Sequence, residues 1–267
     1  MTTAALALHS FAMSKPIIAG RGTSPQPRGA KVARLATQCS SCNVRELCLP
    51  CGVKDHDMAL FTDLVYTRKR VKRGDSLYRA GEAFTALYAV RSGFFKTRVT
   101  FHDGRDQVTG FFMGGELLGM DGISRDQHTC DAVSLEDSEV CMIPYSRLEQ
   151  VSRKVKSLQH HFHKMMSREL VRDSGVMLLL GTMRAEERLA AFLLNISQRL
   201  QSRGYSALEF NLRMTREEIG SYLGLKLETV SRLFSRFHNE GLIAVDQKYV
   251  RILDIAGLRA IYTHQPA

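Results

Sequence analysis

The chain has 267 residues, of which 44% are hydrophobic, a content that suits two modest globular domains and excludes a largely disordered protein. Its 37 lysines and arginines against 27 acidic residues give a net charge of +10, which suits a polyanionic partner without proving one. The sequence shows no membrane span, and because no basic residue precedes its short apolar N-terminal stretch, we do not expect a secretory signal.

The N-terminal region divides into an arm and a cysteine-rich segment. Residues 1–38 are rich in Ala, Ser, Pro and Gly, hold five basic and no acidic residues, and predict a flexible basic arm. Cys39, Cys42 and Cys48 follow with the spacing C-x2-C-x5-C, and Cys51 lies close behind. We expect a cytoplasmic protein, in which crowded thiols indicate a site for soft iron or zinc rather than disulfides.

Two interpretations of these cysteines remain open. The four residues within Cys39–Cys51 could enclose one zinc ion, or three of them could join a distant cysteine in holding an iron–sulfur cluster. The distant candidates, Cys130 and Cys141, lie in strand-like sequence, where a buried free cysteine usually packs as a small hydrophobe. Spacing indicates a metal site without deciding the metal.

Short β-type runs fill the region from about Met58 to Pro144. Gly-containing turns separate them, including Asp103-Gly104 and Gly114-Gly115, and this pattern predicts a small antiparallel barrel or roll. The basic run from Arg68 to Arg73 is interpreted as a solvated strand or loop.

The region from Tyr145 onward predicts helices, beginning with a long one from about Val151 to Met183. Apolar residues recur along it at steps of four and three, the pattern of a two-helix coiled coil, whereas Val171 and Leu178 could instead pack against the parent domain. One seam position is Asp173, and two copies at ~4 Å across a dimer axis would cost about 1 to 4 kcal/mol, unless the side chain points to solvent. The histidines at 160, 161 and 163 are interpreted as a polar helix face. The seam residues are Phe162, Met166, Leu170, Asp173, Met177 and Leu180.

The stretch from Met214 to Glu240 predicts a helix-turn-helix. Thr215 and Glu218 form a capping-box pattern, Gly220 allows close helix crossing and Gly224 suits the turn. Lys226 stands where the second helix prefers a capping Ser or Thr, and it is a candidate phosphate contact. The alternative is an ordinary helical hairpin with a polar outer face. The predicted DNA-contacting residues are Thr215, Arg216, Lys226, Glu228, Thr229, Ser231, Arg232 and Ser235.

A hairpin follows directly from Leu242 to Asp254, with its turn predicted at Asp246-Gln247. Two helices followed by a two-stranded hairpin form a winged helix-turn-helix, which favours DNA binding over the plain helical hairpin.

Between Cys39 and Leu258 the chain resembles the CRP/FNR regulators, and among them the FNR branch, the fumarate and nitrate reduction regulator type. The resemblance rests on six blocks: C-x2-C-x5-C-x-P at Cys39 to Pro50, LYAVRSG at Leu87 to Gly93, GELLGMDGI at Gly115 to Ile123, VCMIP at Val140 to Pro144, AEERLAAFLLN at Ala185 to Asn195, and MTREEIGSYLGLKLETVSRLFSRF at Met214 to Phe237.

The resemblance implies an α+β fold: an N-terminal antiparallel β-roll sensor like a cyclic-nucleotide-binding domain, a long dimerisation helix, and a C-terminal winged helix-turn-helix. The implied boundaries are an arm at 1–38, the cluster-binding segment and roll at 39–148, the helix at 149–183, and the DNA-binding domain at 184–267.

The resemblance also implies one [4Fe–4S] cluster per subunit, held by Cys39, Cys42, Cys48 and Cys141, with Cys51 and Cys130 outside the ligand set. It implies that Glu228, Ser231 and Arg232 read a palindrome of the TTGAT…ATCAA kind. Cyclic-nucleotide-binding relatives carry an Arg-Ser or Arg-Thr pair to clamp the phosphate, whereas here the corresponding sequence is HTCDA, without an arginine beside Thr129. We therefore expect no cyclic nucleotide.

The function implied is that of an oxygen-responsive global regulator that binds palindromic DNA as a homodimer while its cluster is intact. It would activate or repress anaerobic-metabolism genes and contact RNA polymerase through surface loops, for which the Asp103-Gly104 turn is a candidate. As a hypothesis, the cluster ties the N-terminal segment to the strand that leads into the dimer helix, and oxygen removes this tie. The alternatives are a zinc-stabilised, oxygen-insensitive DNA-binding regulator and an iron–sulfur redox enzyme, although no nucleophile–base constellation supports catalysis.

Overall fold

A computed structural model describes residues 39–54, 56–58, 67–101 and 103–263, so the predicted arm at 1–38 lies outside the described residues. In the described part, the first half of the chain forms two four-stranded sheets, ordered β1-β8-β3-β6 and β2-β7-β4-β5, in which every pairing is antiparallel. This confirms the predicted roll. The strands are β1 (Thr67–Val71), β2 (Ser76–Tyr78), β3 (Ala86–Ser92), β4 (Phe94–Thr100), β5 (Asp106–Met113), β6 (Leu117–Leu118), β7 (Asp131–Ser134) and β8 (Ser138–Pro144).

The sheets enclose a core because apolar side chains from both meet between them. Val90 and Val140 from one sheet and Phe95 and Ala132 from the other are fully buried there. Burial of this apolar area is the main term that holds a sandwich of this kind together.

The predicted long helix is two helices. The first, α1 (Tyr145–Lys154), ends at Val155, whose extended backbone (φ −108°, ψ 93°) separates it from α2 (Lys156–Thr182). Val155, Leu148 and Leu158 are all buried in one core beneath the roll, and this packing overrides the helical pattern of the sequence. The predicted helix from about Val151 to Met183 is therefore correct over Lys156–Thr182 and wrong at Val155, where it is interrupted.

The C-terminal part is the predicted winged helix-turn-helix with one additional strand. A third strand, β9 (Glu209–Asn211), pairs with β11 (Tyr249–Ile252) of the wing. Sequence patterning missed β9 because three residues show no clear alternation. The turn of the wing lies at Gln247-Lys248, one residue beyond the prediction, and Gln247 has a positive φ of 51°. The elements are α3 (Ala185–Gln201), β9 (Glu209–Asn211), α4 (Arg216–Leu223), α5 (Leu227–Asn239), β10 (Ile243–Asp246), β11 (Tyr249–Ile252) and α6 (Ile255–Thr263).

The roll and the winged helix-turn-helix domain share a hydrophobic core. Phe94, Val108 and Phe111 of the roll are buried against residues of α3 and α4, and the rings of Phe111, Phe192 and Tyr222 form one mutual contact. Within the described ranges, no helix combines the length and the hydropathy that a membrane span requires.

Gly220 of α4 lies where the turn of the helix-turn-helix packs closely against the first helix. A Cβ added there would lie 2.6 Å from the backbone carbonyl oxygen of Leu225. Gly220→Ala is therefore expected to lower the free energy of unfolding by about 1–3 kcal/mol, because a backbone oxygen cannot move aside. Gly175→Ala in α2, whose added Cβ meets nothing within 4 Å, is the control. Equal melting temperatures of the two variants in circular dichroism would contradict this prediction.

Candidate metal centre and nucleic-acid interface

The cysteine-rich segment folds as a series of tight turns. Short 3-10 helices cover Cys39–Ser41 and Arg45–Leu47. The backbone N–H of Cys42 donates to the carbonyl of Cys39 at 3.3 Å, and that of Cys51 donates to the carbonyl of Cys48 at 3.0 Å. These bonds fix the segment locally without a long element of secondary structure.

The segment rests on the turn between β5 and β6. Gly115 adopts φ +88°, and a Cβ there would lie 2.7 Å from the Cβ of Leu47. Glycine is required for both reasons, and it allows the segment to approach the roll closely.

Cys141 comes from the middle of the roll. It lies on β8, between Arg68 of β1 and Ala89 of β3 in the register of the sheet. Cys141 and Cys39 are buried, and both belong to one apolar core against which Cys48 also packs. The fold therefore brings a residue far along the chain to the N-terminal segment.

The pKa values show that four thiols lie within electrostatic reach of one another. Burial raises the pKa of Cys48 far above its ordinary value, with further increases from Cys141, Cys39 and Cys42. Burial likewise raises the pKa of Cys39 and that of Cys141 to about 11, and neighbouring thiols add to both shifts. We call Cys39, Cys42, Cys48 and Cys141 the four-cysteine group.

The other two cysteines are also free thiols. Cys130 is buried in the separate core between the sheets, beside Tyr78 and Asp121, and burial raises its pKa to about 12. Cys51 is half-buried and does not belong to the core that includes Cys39, Cys48 and Cys141.

Arginines surround the four-cysteine group. Arg68, Arg91 and Arg45 each act to lower the pKa of Cys39. The Nε of Arg68 is buried without a hydrogen-bond partner, so the prediction that the run starting at Arg68 is wholly solvated is wrong at this residue. Arg91 also pairs with Glu139 at 2.9 Å.

This donor set fits an iron–sulfur cluster. Four thiolates around a cluster carry net negative charge, which the arginines would offset at a buried site. Among the described residues, no group of three or more His, Cys, Asp or Glu side chains is arranged closely enough to hold a metal ion, so the fit rests on the type and burial of the four thiols.

His161 connects α2 to the cysteine segment. It is buried, so the prediction that it belongs to a polar helix face is wrong, whereas His160 and His163 are exposed. Burial lowers its pKa, an interaction with the backbone of Cys48 acts in the opposite direction, and its Nε2 is buried without a hydrogen-bond partner. Its position three residues after the buried Leu158 was the available sequence clue.

The predicted seam on α2 is only partly exposed. Phe162 is buried in the core of its own chain and Met166 packs against the same core, so these two do not lie on a free surface. Leu170 is 69% exposed and Met177 is 68% exposed. Asp173 is exposed between them, and Leu180 is half-buried.

Val171 and Leu178 flank the same surface and are 70% and 57% exposed. They do not pack against the parent domain, which was their alternative interpretation. Four large apolar side chains are thus exposed to solvent along about two turns of one helix. We call these residues, Leu170, Val171, Met177 and Leu178, the α2 apolar stripe.

The helix-turn-helix has the predicted capping and core. The N–H of Glu218 donates to the Thr215 hydroxyl at 3.1 Å, and the N–H of Thr215 donates to the Glu218 carboxylate at 2.6 Å. Ile219 and Val230 are fully buried. Lys226 occupies the N-cap of α5 without a side-chain capping bond, as expected.

The predicted DNA-reading residues divide into an exposed group and an engaged group. Lys226, Glu228, Ser231, Arg232 and Ser235 are exposed along α5, and Thr229 is half-buried. The hydroxyl of Thr215, by contrast, is used in the capping box described above.

Arg216 is engaged within the chain. Its guanidinium carbon lies 3.2 Å from the ring centroid of Phe234, and it donates to the carbonyl of Gln247 in the wing at 3.2 Å. Burial lowers its pKa to about 10. Arg216 therefore braces α4 against α5 and the wing.

Sequence reasoning missed the polar contacts between the roll and the winged helix-turn-helix domain. Lys96 pairs with Glu218 at 2.7 Å, and the Ser221 hydroxyl accepts from the N–H of Val108 at 2.8 Å. A buried ion cluster around Glu116 also joins the two parts. Such contacts join residues distant in sequence, and periodicity carries no signal for them.

A cavity of about 510 Å³ lies between the roll and α2. Its lining includes three carboxylates, Asp121, Glu169 and Asp173, and one guanidinium, that of Arg172. Arg172 pairs with Glu169 and lies 4.5 Å from the ring centroid of Phe112. A phosphate in this cavity would face carboxylates without an unpaired cation among the described lining residues, an unfavourable arrangement.

Comparison with known proteins agrees with this architecture. Residues 68–154 match the family model of the cyclic nucleotide-binding domain, and residues 187–261 match that of the Crp-like helix-turn-helix domain. The chain is 48% identical over 226 residues to the transcriptional regulatory protein btr of Bordetella pertussis, covering 85% of this chain and 93% of that protein. It is 42% identical to the transcriptional activator protein FnrA of Stutzerimonas stutzeri, covering 86% and 94%.

The fumarate and nitrate reduction regulatory protein of Escherichia coli strain K12 is 39% identical, with coverage of 86% of this chain and 92% of that protein. Among solved structures, FixK2 from Bradyrhizobium japonicum superposes with a TM-score of 0.69 at 29% identity, covering 75% of this chain and 98% of that one.

Proposed function

The chain belongs to the CRP/FNR family of transcription regulators, and we propose that within this family it is an oxygen-responsive global regulator of anaerobic-metabolism genes. Like its relatives, it is a DNA-binding regulator and not an enzyme. The finer proposal is that it binds a palindromic site as a homodimer while a cluster occupies the four-cysteine group, activating some promoters and repressing others.

The observation that carries this proposal is the meeting of Cys141 with the three cysteines of the N-terminal segment. Cys39 and Cys141 are buried in one apolar core, Cys48 packs against the same core, and nearby arginines supply positive charge. When bound, a [4Fe–4S] cluster would supply an oxygen-labile link between the N-terminal segment and β8.

Metal analysis of anaerobically purified protein tests the proposal directly. Iron with acid-labile sulfide and a visible absorption that bleaches in air is expected. Colourless protein containing zinc would instead support an oxygen-insensitive regulator. An unchanged visible spectrum and unchanged operator affinity after exposure to air would contradict the oxygen response.

The residues of the chain suggest how the link reaches the dimer. β8 leads through α1 into α2, and the buried start of α2, at Leu158, His161 and Phe162, packs against the cysteine segment. A change in the segment therefore acts on the helix that carries the α2 apolar stripe. The stripe would pair with its copy in a second subunit, burying apolar area that is otherwise in water.

Asp173 is expected to oppose this pairing, because it lies between the exposed Leu170 and Met177. Asp173→Asn removes the repulsion between two copies, and at ~4 Å in water this is worth about 1 kcal/mol, or roughly fivefold in the dimer dissociation constant. Sedimentation velocity in air should show more dimer for this variant than for wild type. Asp75→Asn, which removes an exposed carboxylate from the β1–β2 turn, is the charge-matched control. Equal dissociation constants for the two variants would contradict the prediction.

At the DNA, Arg232 suits guanine, Glu228 suits cytosine, and Ser231 adapts to either, while Lys226 suits a phosphate. The β4–β5 hairpin is our candidate contact for RNA polymerase, because Phe101 is exposed beside the Asp103-Gly104 turn. We also propose that no cyclic nucleotide acts as effector, given the carboxylates that line the cavity beneath α2.

A further inference from the structure

A largely buried carboxylate, that of Glu116 in the turn between β5 and β6, binds two arginines of the DNA-binding domain. Its Oε1 lies 2.6 Å from Nη2 of Arg203, and its Oε2 lies 2.6 Å from Nη2 of Arg199. The backbone N–H of Met113 donates to Oε2 at 3.1 Å. Burial alone would raise the pKa of Glu116, but the two arginines lower it below its usual value, so the carboxylate stays charged.

The same arginines also bond the backbone of the roll. Nη2 of Arg199 donates to the carbonyl of Phe111 at 2.6 Å, and Nε of Arg203 donates to the carbonyl of Gly114 at 2.7 Å. A guanidinium held by several acceptors has a fixed orientation. The end of α3 is therefore oriented against the edge of the roll and does not merely lie in contact with it.

The long helix meets the same carboxylate. Arg172 of α2 lies 4.0 Å from Oε2 of Glu116, and it is held in turn by Glu169 and by the ring of Phe112. Glu116 thus lies where the roll, α2 and the DNA-binding domain come together.

This docked arrangement leaves the DNA-reading surface free. Glu228, Ser231 and Arg232 are exposed on α5, whereas the docking uses α3 and α4. Docking therefore fixes the angle of α5 relative to α2. In a dimer joined along α2, this angle sets the separation of the two reading helices, which has to match half-sites about 34–36 Å apart.

We propose that Glu116 is a specificity-determining residue that sets the half-site spacing accepted by the dimer. It touches no DNA and acts as a positioning residue, through Arg199 and Arg203. Without the charge of Glu116, the DNA-binding domain would be held by less directional contacts and would be free to take several orientations. Binding to a site of fixed spacing would then require one orientation to be selected, which lowers the affinity. The inference rests on the dimer of the proposed function, but on neither the cluster nor the oxygen response.

The test compares anaerobically purified full-length wild type with Glu116→Gln. The probes are duplexes that carry two inverted TTGAT half-sites, with the distance between them varied in steps of one base pair, and a duplex with one half-site. Wild type should prefer one spacing sharply. For the variant we expect affinity at that spacing to fall about tenfold, with a flatter spacing profile and unchanged half-site affinity.

Two further variants keep the test decisive. Glu116→Asp retains the charge but is too short to hold both arginines, so it should flatten the profile even if Glu116→Gln folds poorly. Glu136→Gln breaks an ion pair with Arg213 that also joins the roll to the DNA-binding domain but is more exposed, and it should leave the profile unchanged.

Two results would overturn the inference: a wild-type spacing profile in both Glu116 variants, or a loss of half-site affinity as large as the loss at the best spacing. If wild type binds its site equally well in air, the proposed oxygen response is contradicted. The comparison of spacing profiles still tests the role of Glu116, because it does not depend on that response.

Discussion

Replacing Cys141 with alanine is expected to abolish cluster binding and to weaken operator binding without oxygen by roughly 1,000-fold or more, the lower end of the range that separates specific from non-specific DNA binding. Cys141 is the one member of the four-cysteine group that belongs to the roll, and the other three belong to the N-terminal segment. Its side chain is buried on β8, where alanine keeps the strand and its register. The loss should therefore affect the site rather than the fold.

Visible absorption, iron and sulfide content, and fluorescence anisotropy with a palindromic duplex measure the two effects. Cys130→Ala is a matched control, because Cys130 is also buried and free but packs in the core between the sheets, away from the group. It should load and bind normally. Cys51→Ala distinguishes a zinc site from an iron–sulfur cluster. A zinc site formed by the cysteines within Cys39–Cys51 would lose its metal in Cys51→Ala and keep it in Cys141→Ala. If Cys141→Ala protein contains a normal cluster and binds the palindromic duplex with wild-type affinity, the proposal is contradicted.

The roll and the helix-turn-helix were predictable because their signals are local. Strand runs between glycine turns, the capping box at Thr215 and Glu218, and the close approach at Gly220 all depend on neighbouring residues. Local chemistry of this kind survives in the fold because packing agrees with it.

Contacts between distant residues were not predictable in this way. No spacing rule predicts that Cys141 lies near Cys48. Their proximity depends on the register of the sheet and on the packing of the N-terminal segment against the β5–β6 turn. Only the family resemblance suggested this pairing. The break at Val155 has the same origin, because burial under the roll outweighs the helical pattern.

Charged residues were the least predictable. Arg68 was interpreted as solvated, yet it lies beside Cys39 and Cys141, and Glu116 was read only as part of a motif, yet it joins three parts of the chain. In a single sequence, a charged residue is normally predicted to lie on the surface. Whether it is buried depends on charged partners that the sequence does not identify.

Replacing Met177 with glutamate is expected to abolish the dimer and, with it, most of the operator affinity. Met177 is 68% exposed in the single chain, so the change should cost its fold little. In a two-fold dimer each change occurs twice, and the two new carboxylates would add to the existing pair at Asp173 across the same seam. Apolar contact is lost as well, at about 25 cal/mol for each Å² no longer buried.

Sedimentation velocity of anaerobically purified protein should therefore show monomer at concentrations where wild type is dimeric. Affinity for a palindromic duplex should fall roughly 100-fold or more while affinity for a single half-site stays the same, because the exposed face of α5 is untouched. Leu253→Glu places the same charge at a half-exposed leucine of the DNA-binding domain, outside the α2 apolar stripe, and should leave the dimer intact. If Met177→Glu remains dimeric, the stripe is not the interface and the route from the cysteines to DNA cannot run through α2.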